Sequence, residues 1–360
     1  MFLSGKSVKA KKYSLVIDIG SGSVAAGVID GAHVIFSMRQ RFDSADQTML
    51  FSALNGLLGS VSKKAHELSL KVGDAHCFYS SPWQVVRTKS ISMKKDAPFE
   101  ITQKVFDGIF AHAAEEDHAF KGLFLVSQNI LGVKINGYET TVPFGHKVKV
   151  LEATISLCFA PKDIITKSEE AVYRSIGHIK IHHHSFDLSA FLALRHAGMI
   201  PRDLVLLHIH HLVTDLIVST GTMPREIVSF PIGTAAIASK ASDFLHIDNA
   251  VALSKIRMYA EGKLQAEDEG MIKAALMQPS KEWLAPIEAF FKTLASENVF
   301  IPKKIFILAD GDLWRICRDA LAQGDFSKYA FSGEAFDIER IAAEENGAKI
   351  YLEALYCANI

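Results

Sequence analysis

One supersecondary pattern occurs twice in this chain, and it constrains the fold more than any single motif does. An apolar run from Tyr13 ends in Asp18-Ile-Gly20, and the tight turn Ser21-Gly-Ser23 leads into a second run over residues 24–30. Gly31-Ala32 then turns into a third at 33–42. The same order returns at 204–210, 216–220 and 226–230, joined by 211–215 and 221–225. Short turns between apolar runs of this length predict antiparallel meanders. Each meander is followed by helix-patterned sequence, first at 47–70 and then over 234–245, 248–262 and 267–296. Duplication on this scale predicts two similar α/β lobes with a cleft between them.

The rest of the chain fits around the two repeats. Residues 87–160 carry strand, helix, strand and strand patterns in turn and predict a small subdomain inserted in the first lobe. The division expected is a basic lead-in at 1–12, a first lobe from 13–86 and 161–200, the insert at 87–160, and a second lobe at 201–360 with a helical block at 234–296. The apolar stretch 348–360 contains Lys349 and Glu353 but no polybasic face, which predicts packing against the core and not a membrane helix.

Composition narrows the function classes. With 39 basic against 40 acidic residues, the chain has no global field for nucleic acid. No run reaches the roughly 18 apolar residues that suggest a membrane span. Four scattered cysteines (Cys77, Cys158, Cys317, Cys357) without a C-x-x-C pair predict free thiols in a reducing compartment.

Asp18-Ile-Gly-Ser-Gly-Ser23 is the segment with the clearest chemistry. Glycines on a hairpin let backbone N–H groups approach a phosphate closely. The segment resembles the first phosphate motif of the actin-like ATPases. Further segments, in order along the chain, resemble the FtsA/PilM family of bacterial cell-division and type IV pilus proteins. They are Asn136-Gly-Tyr138, Pro143-Phe-Gly145, the passage 179–190, 204–218, Phe230-Pro-Ile-Gly233, Asn249 to Lys255 with Tyr259 and Gly262, and 304–312. The resemblance implies an actin-like, RNase H-like duplicated fold that binds ATP and Mg²⁺. Its nucleotide contacts would be Asp18, Gly20, Ser21, Gly22, Ser23, Thr214, Asp215, Gly233, Lys255 and Gly311, with Asp18 facing the Mg²⁺ through water.

The departures from that family are concentrated in the second lobe. Where the family has approximately D-I-G-G-G-T-T-D, this chain reads His208-Ile-His-His-Leu-Val-Thr-Asp215. His208 stands for the leading acid, and His210, His211 and Leu212 stand for glycines; Thr214 and Asp215 persist. A glycine pair becomes Asp310-Gly311, and the acid of an A-E-x-x-x-K helix becomes Val251. Losing phosphate donors at a site that works by positioning and electrostatics predicts weak or absent ATP hydrolysis with the shape kept.

The function expected from the resemblance is an actin-like scaffold, cytoplasmic, recruited to the inner membrane. Its partners would be the cytoplasmic peptide of a membrane protein or a division filament protein, with self-association as a further expectation. Two alternatives stay open. One is a working ATPase or kinase in which Asp215 or Asp310 replaces the missing acid. The other uses the histidines. Alternation puts His182 and His184 on one strand face, and His208 and His210 on another. If those faces converge, the imidazoles form a Zn²⁺ or anion site. Asp187 and Asp203, at element starts, are expected to cap or turn. Trp83, next to Ser81-Pro82, is either packing or an exposed partner anchor.

Overall fold

The computed structural model describes residues 11–42, 46–116, 120–221, 223–309, 313–324, 326–330, 333–341 and 348–360. Most of the basic lead-in and the stretch 310–312, with Asp310 and Gly311, lie outside the described residues.

The first meander is β1 (Tyr13–Ile19), β2 (Ser23–Asp30) and β3 (His33–Arg41), all antiparallel. After α1 (Gln47–Glu67), β4 (Val72–Tyr79) runs parallel to β1. The inserted unit follows: β5 (Val85–Glu100), α2 (Gln103–Glu116), β6 (Phe124–Ile135), β7 (Tyr138–Glu139) and β8 (Lys147–Ala160). Its strands make a separate sheet ordered β5-β8-β6-β7. The two-residue β7 was not expected; it arises from Asn136-Gly137, both at positive φ (50° and 88°), which is hairpin-turn geometry. The chain returns through α3 (Lys162–Ser175) to β9 (Lys180–Ser185), parallel to β4, and on to α4 (Phe186–His196). The first sheet is thus ordered β3-β2-β1-β4-β9.

The second sheet repeats this plan. β10 (Leu204–Ile209), β11 (Thr214–Ser219) and β12 (Pro224–Phe230) form the meander. Helices α5 (Thr234–Leu245), α6 (Asn249–Ala260) and α7 (Ala266–Ser296) come next. β13 (Lys304–Ala309) then pairs parallel to β10, and α8 (Trp314–Gln323) precedes β14 (Asp337–Arg340), parallel to β13. The order β12-β11-β10-β13-β14 matches the first sheet strand for strand. β14 carries three charged residues in four, so no apolar pattern marks it. The chain closes in α9 (Ala348–Cys357).

Apolar faces explain the assembly. Leu50, Leu54, Leu57, Leu58 and Val61 of α1 recur at helical spacing and are buried against the first sheet. Trp283, Ile287, Phe291 and Leu294 of α7 do the same against the second. The opposite faces of both sheets share one central core: Val16, Ala25 and Phe78 from the first meet Leu206, Ile217 and Phe306 from the second around α4 and α9. This layer joins the two lobes.

Candidate functional site

The β1–β2 and β10–β11 hairpins meet across the junction of the lobes. The Leu212 N–H donates to Ser21 Oγ at 3.2 Å. At Gly22 an added Cβ would stand 2.5 Å from His211 Cβ and 2.6 Å from its Cγ, so the second hairpin occupies the space a residue-22 side chain would take. Gly20 closes the first hairpin with its N–H on the Ser23 carbonyl (3.1 Å), and its own carbonyl accepts the Trp83 indole N–H (2.8 Å). Trp83 is therefore packing at the junction, not an exposed anchor.

Behind the second hairpin stands the start of α5. A helix N-terminus presents N–H groups without intrahelical partners, and those suit an anion. Here the Thr234 and Ala235 N–H groups donate to the carbonyls of His210 (3.0 Å) and His211 (2.8 Å). A Cβ on Gly233 would lie 2.5 Å from the His211 carbonyl oxygen, so Gly233 serves this backbone contact. A phosphate chain between the hairpins would need the space that His211 fills and the Leu212 N–H that Ser21 holds. In this arrangement the residues present do not fit a Mg²⁺-nucleotide.

The charged groups of the cleft are matched by other parts of the chain. Asp18 is fully buried, and Lys349 Nζ (3.8 Å) and an Arg39 guanidinium nitrogen (4.0 Å) stand beside its Oδ2. Arg39 also donates to Ser23 Oγ at 3.2 Å. A protein ammonium thus lies where the family resemblance implies a Mg²⁺ shell. Glu353, one turn further along α9, is also buried; burial, then the Asp18 charge, pushes its carboxyl well above the usual range, while Lys349 and Arg39 pull the other way.

The other half of the junction repeats this scheme with the charges exchanged. His208 occupies the place in β10 that Asp18 has in β1: each stands opposite the hairpin's second strand, at Asp215 and Ala25 respectively. The acid that faces His208 across the ladder is Asp215, the one the motif retains. Asp187 is the second residue of α4, as Lys349 is of α9. Asp187 does not cap or turn. Its Oδ1 accepts from His208 Nδ1 (2.6 Å), and His210 Nε2 stands 3.6 Å away. His210 Nε2 also pairs with Asp215 Oδ2 at 2.8 Å. The outer oxygens are held as well: Gln84 Nε2 donates to Asp187 Oδ2 (3.3 Å), Ser229 Oγ donates to Asp215 Oδ1, and Cys158 Sγ donates to Gln84 Oε1 (2.8 Å). Burial opposes charge on His210, but the hydrogen bonds to Asp187 and Asp215 outweigh it and push its pKa up to about 9. Burial, then the Asp187 charge, raises Asp215.

The remaining expected contacts are engaged elsewhere. Thr214 Oγ1 accepts the Trp283 indole N–H (2.9 Å) and donates to the Ile232 carbonyl (2.7 Å). Lys255 pairs with Asp268 of α7 at 2.8 Å. Asp203 holds the Gly221 N–H at 2.7 Å, the turn role expected of it.

The condition for a single four-histidine site is not met: His182 and His184 lie in one cluster, and His208 and His210 in another. His208 and His210 lie tilted by 48° with ring centroids 3.5 Å apart, beside Asp187 and Asp215. His182 and His184 lie on the first sheet, where β9 pairs with β4. There His76 stacks on His182 (4.7 Å) and shares a 3.0 Å hydrogen bond from its Nδ1 with His184 Nε2, while Asp74 stands beside His76 and His182. Burial and the neighbouring imidazoles lower His76 to about 4 and His184 to about 3, so both are neutral at pH 7.

Sequence reading alone missed Asp187, Arg39, Lys349 and Glu353. The one available signal was the i, i+4 pair Lys349 and Glu353 inside an otherwise apolar tail; charges there ask for buried partners.

No family model matches the chain, and no curated protein matches it in sequence. Its similarity to solved structures is in shape. A structure described as the PilM–PilN type IV pilus biogenesis complex matches with a TM-score of 0.65 and 13% identity over 96% of this chain and 97% of that one. The ethanolamine utilization protein EutJ from Carboxydothermus hydrogenoformans matches with a TM-score of 0.51 and 9% identity, over 96% of this chain and 90% of that one. With the duplicated sheet order and the insert after the first meander, these place the chain in the actin-like fold.

Proposed function

We propose that this protein is an actin-like scaffold that holds protein partners and does not turn over ATP. The observation that carries this reading is the direct contact of the two hairpins, with His211 seated on Gly22 and Leu212 bonded to Ser21. Phosphoryl-transfer sites work by positioned donors and cations around an enclosed phosphate chain. Here the phosphate gap is filled by protein, the acid Asp18 faces Lys349 and Arg39, and the start of α5 is capped by hairpin carbonyls. A fold with that cleft closed retains rigid lobes and a surface.

The likeness in fold to a structure of the PilM–PilN type IV pilus biogenesis complex supports a role in holding a protein partner. No helix among the described residues is long and apolar enough to cross a membrane. Tyr138, Val142 and Phe144 stand exposed on the inserted unit and offer apolar anchors of the kind that carry interface energy.

The test has two arms. Equilibrium dialysis with ATP and Mg²⁺ should give no saturable binding, and phosphate release should stay at background. Cross-linking in cells followed by mass spectrometry should place a partner peptide on the protein, and Tyr138→Ala with Phe144→Ala should weaken it. Micromolar ATP binding with steady turnover would refute the reading.

A further inference from the structure

The second-lobe half of the junction brings four metal-ligating side chains together, and nothing in the scaffold reading requires them. Asp187, His208, His210 and Asp215 each offer one ligand atom, and these atoms all lie within 4.8 Å of one another. All four side chains are buried. We propose that Asp187 Oδ1, His208 Nδ1, His210 Nε2 and Asp215 Oδ2 form a closed, four-coordinate site for a borderline divalent cation, Zn²⁺ first, that pins α4 to the β10–β11 hairpin.

Geometry, charge and support agree on this. A tetrahedral Zn²⁺ with bonds of about 2.0–2.1 Å has ligand atoms about 3.3 Å apart. Three of the six separations, 2.6, 2.8 and 3.6 Å, bracket that spacing, and the other three lie within 4.8 Å, so the metal is accommodated by closing the set by at most about 1.5 Å. Binding displaces the protons held on His208 Nδ1 and His210 Nε2, and two carboxylates with two neutral imidazoles then balance one divalent ion, which leaves no net charge in a site lined by Phe186 at 4.9 Å from His208. Mixed imidazole and carboxylate ligands select zinc-like metals over Ca²⁺ or Mg²⁺. The non-ligating oxygens of both carboxylates are already held, by Gln84 and by Ser229, and such outer contacts fix the direction of a ligand. Four protein ligands leave no open position, so the ion is structural and supplies no Lewis-acid chemistry. The site needs no nucleotide and no partner, so it stands independently of the scaffold reading.

The cluster Asp74, His76 and His182 is the internal control, because it is partly exposed and has three ligand groups. The full chain is produced in zinc-supplemented medium, purified without a metal-affinity step, and its metal content measured by mass spectrometry. About one zinc per chain is expected, retained through EDTA dialysis of the folded protein and released on denaturation. Asp215→Asn and His210→Gln should each reduce the content at least about five-fold, while His182→Ala should leave it unchanged. Because a junction variant can fail to fold, the wild-type chain is also refolded with Co²⁺, which should give the visible absorption bands of a tetrahedral site. Less than about a tenth of a zinc per chain together with no such Co²⁺ spectrum would overturn the proposal. So would zinc that survives both junction substitutions.

Discussion

Gly22→Ala measures the contact between the hairpins. The new Cβ would lie 2.5 Å from His211 Cβ, where ordinary contact begins at 3.4 Å, a deficit of 0.9 Å. Both atoms are fixed to backbone, so no rotamer change relieves the clash; the hairpins must separate and stretch the 3.2 Å Leu212–Ser21 bond. Overpacking of this kind costs about 1–3 kcal/mol, and weakening a hydrogen bond adds up to about 1. The φ of Gly22 lies outside the left-handed region, so alanine brings no backbone strain. Without the clash, the substitution should stabilise by about 0.4–1 kcal/mol by restricting the unfolded chain. Urea unfolding of a four-member cycle with His211→Gly therefore predicts a change of sign. Alanine at 22 destabilises by about 2 kcal/mol with His211 present, and is neutral or stabilising with glycine at 211. An equal effect in both backgrounds would refute the contact.

Lys349→Met should cost about 3 kcal/mol in urea unfolding, because it removes a buried ammonium from beside the buried Asp18 carboxylate. A loss under about 1 kcal/mol would mean Lys349 is not the balancing cation. Asp18→Asn should likewise lower stability in urea unfolding, because it removes the buried charge beside Lys349 and Arg39. His76 and His184 make the fold acid-sensitive: above pH 6.5 they are neutral folded and unfolded, and below it the unfolded chain takes up protons that the folded one resists. Stability should fall by about 1.4 kcal/mol per pH unit per group from pH 6.5 down to the folded values of about 4 and about 3. Between pH 6.5 and 5 that is about 2 kcal/mol each, less for the pair because they touch. A His76→Gln/His184→Gln protein that loses stability as steeply as the wild type over this range would contradict the assignment.

The duplicated architecture is legible because apolar strand runs and the short turns between them are local signals, and the order of meander and helix repeats in the chain. The bulk of the second hairpin is legible too, since His210, His211 and Leu212 stand where the resemblance implies glycines. What fills the cleft is not. His211 meets Gly22, and Lys349 meets Asp18, across separations of 189 and 331 residues that no periodicity encodes. Asp187 looks like an ordinary helix-start residue until α4 is seen facing β10, when it becomes the partner of His208. The four singled-out histidines share two strand faces by alternation, as expected, but the faces belong to different sheets and each recruits its own acid, Asp74 in one case and Asp187 with Asp215 in the other.

A crystal structure grown in saturating ATP and Mg²⁺ tests the closed cleft most directly. It should show His211 still on Gly22, the Leu212–Ser21 hydrogen bond intact and Lys349 beside Asp18. A triphosphate lying between the hairpins, with His211 displaced and Mg²⁺ near Asp18, would contradict the account.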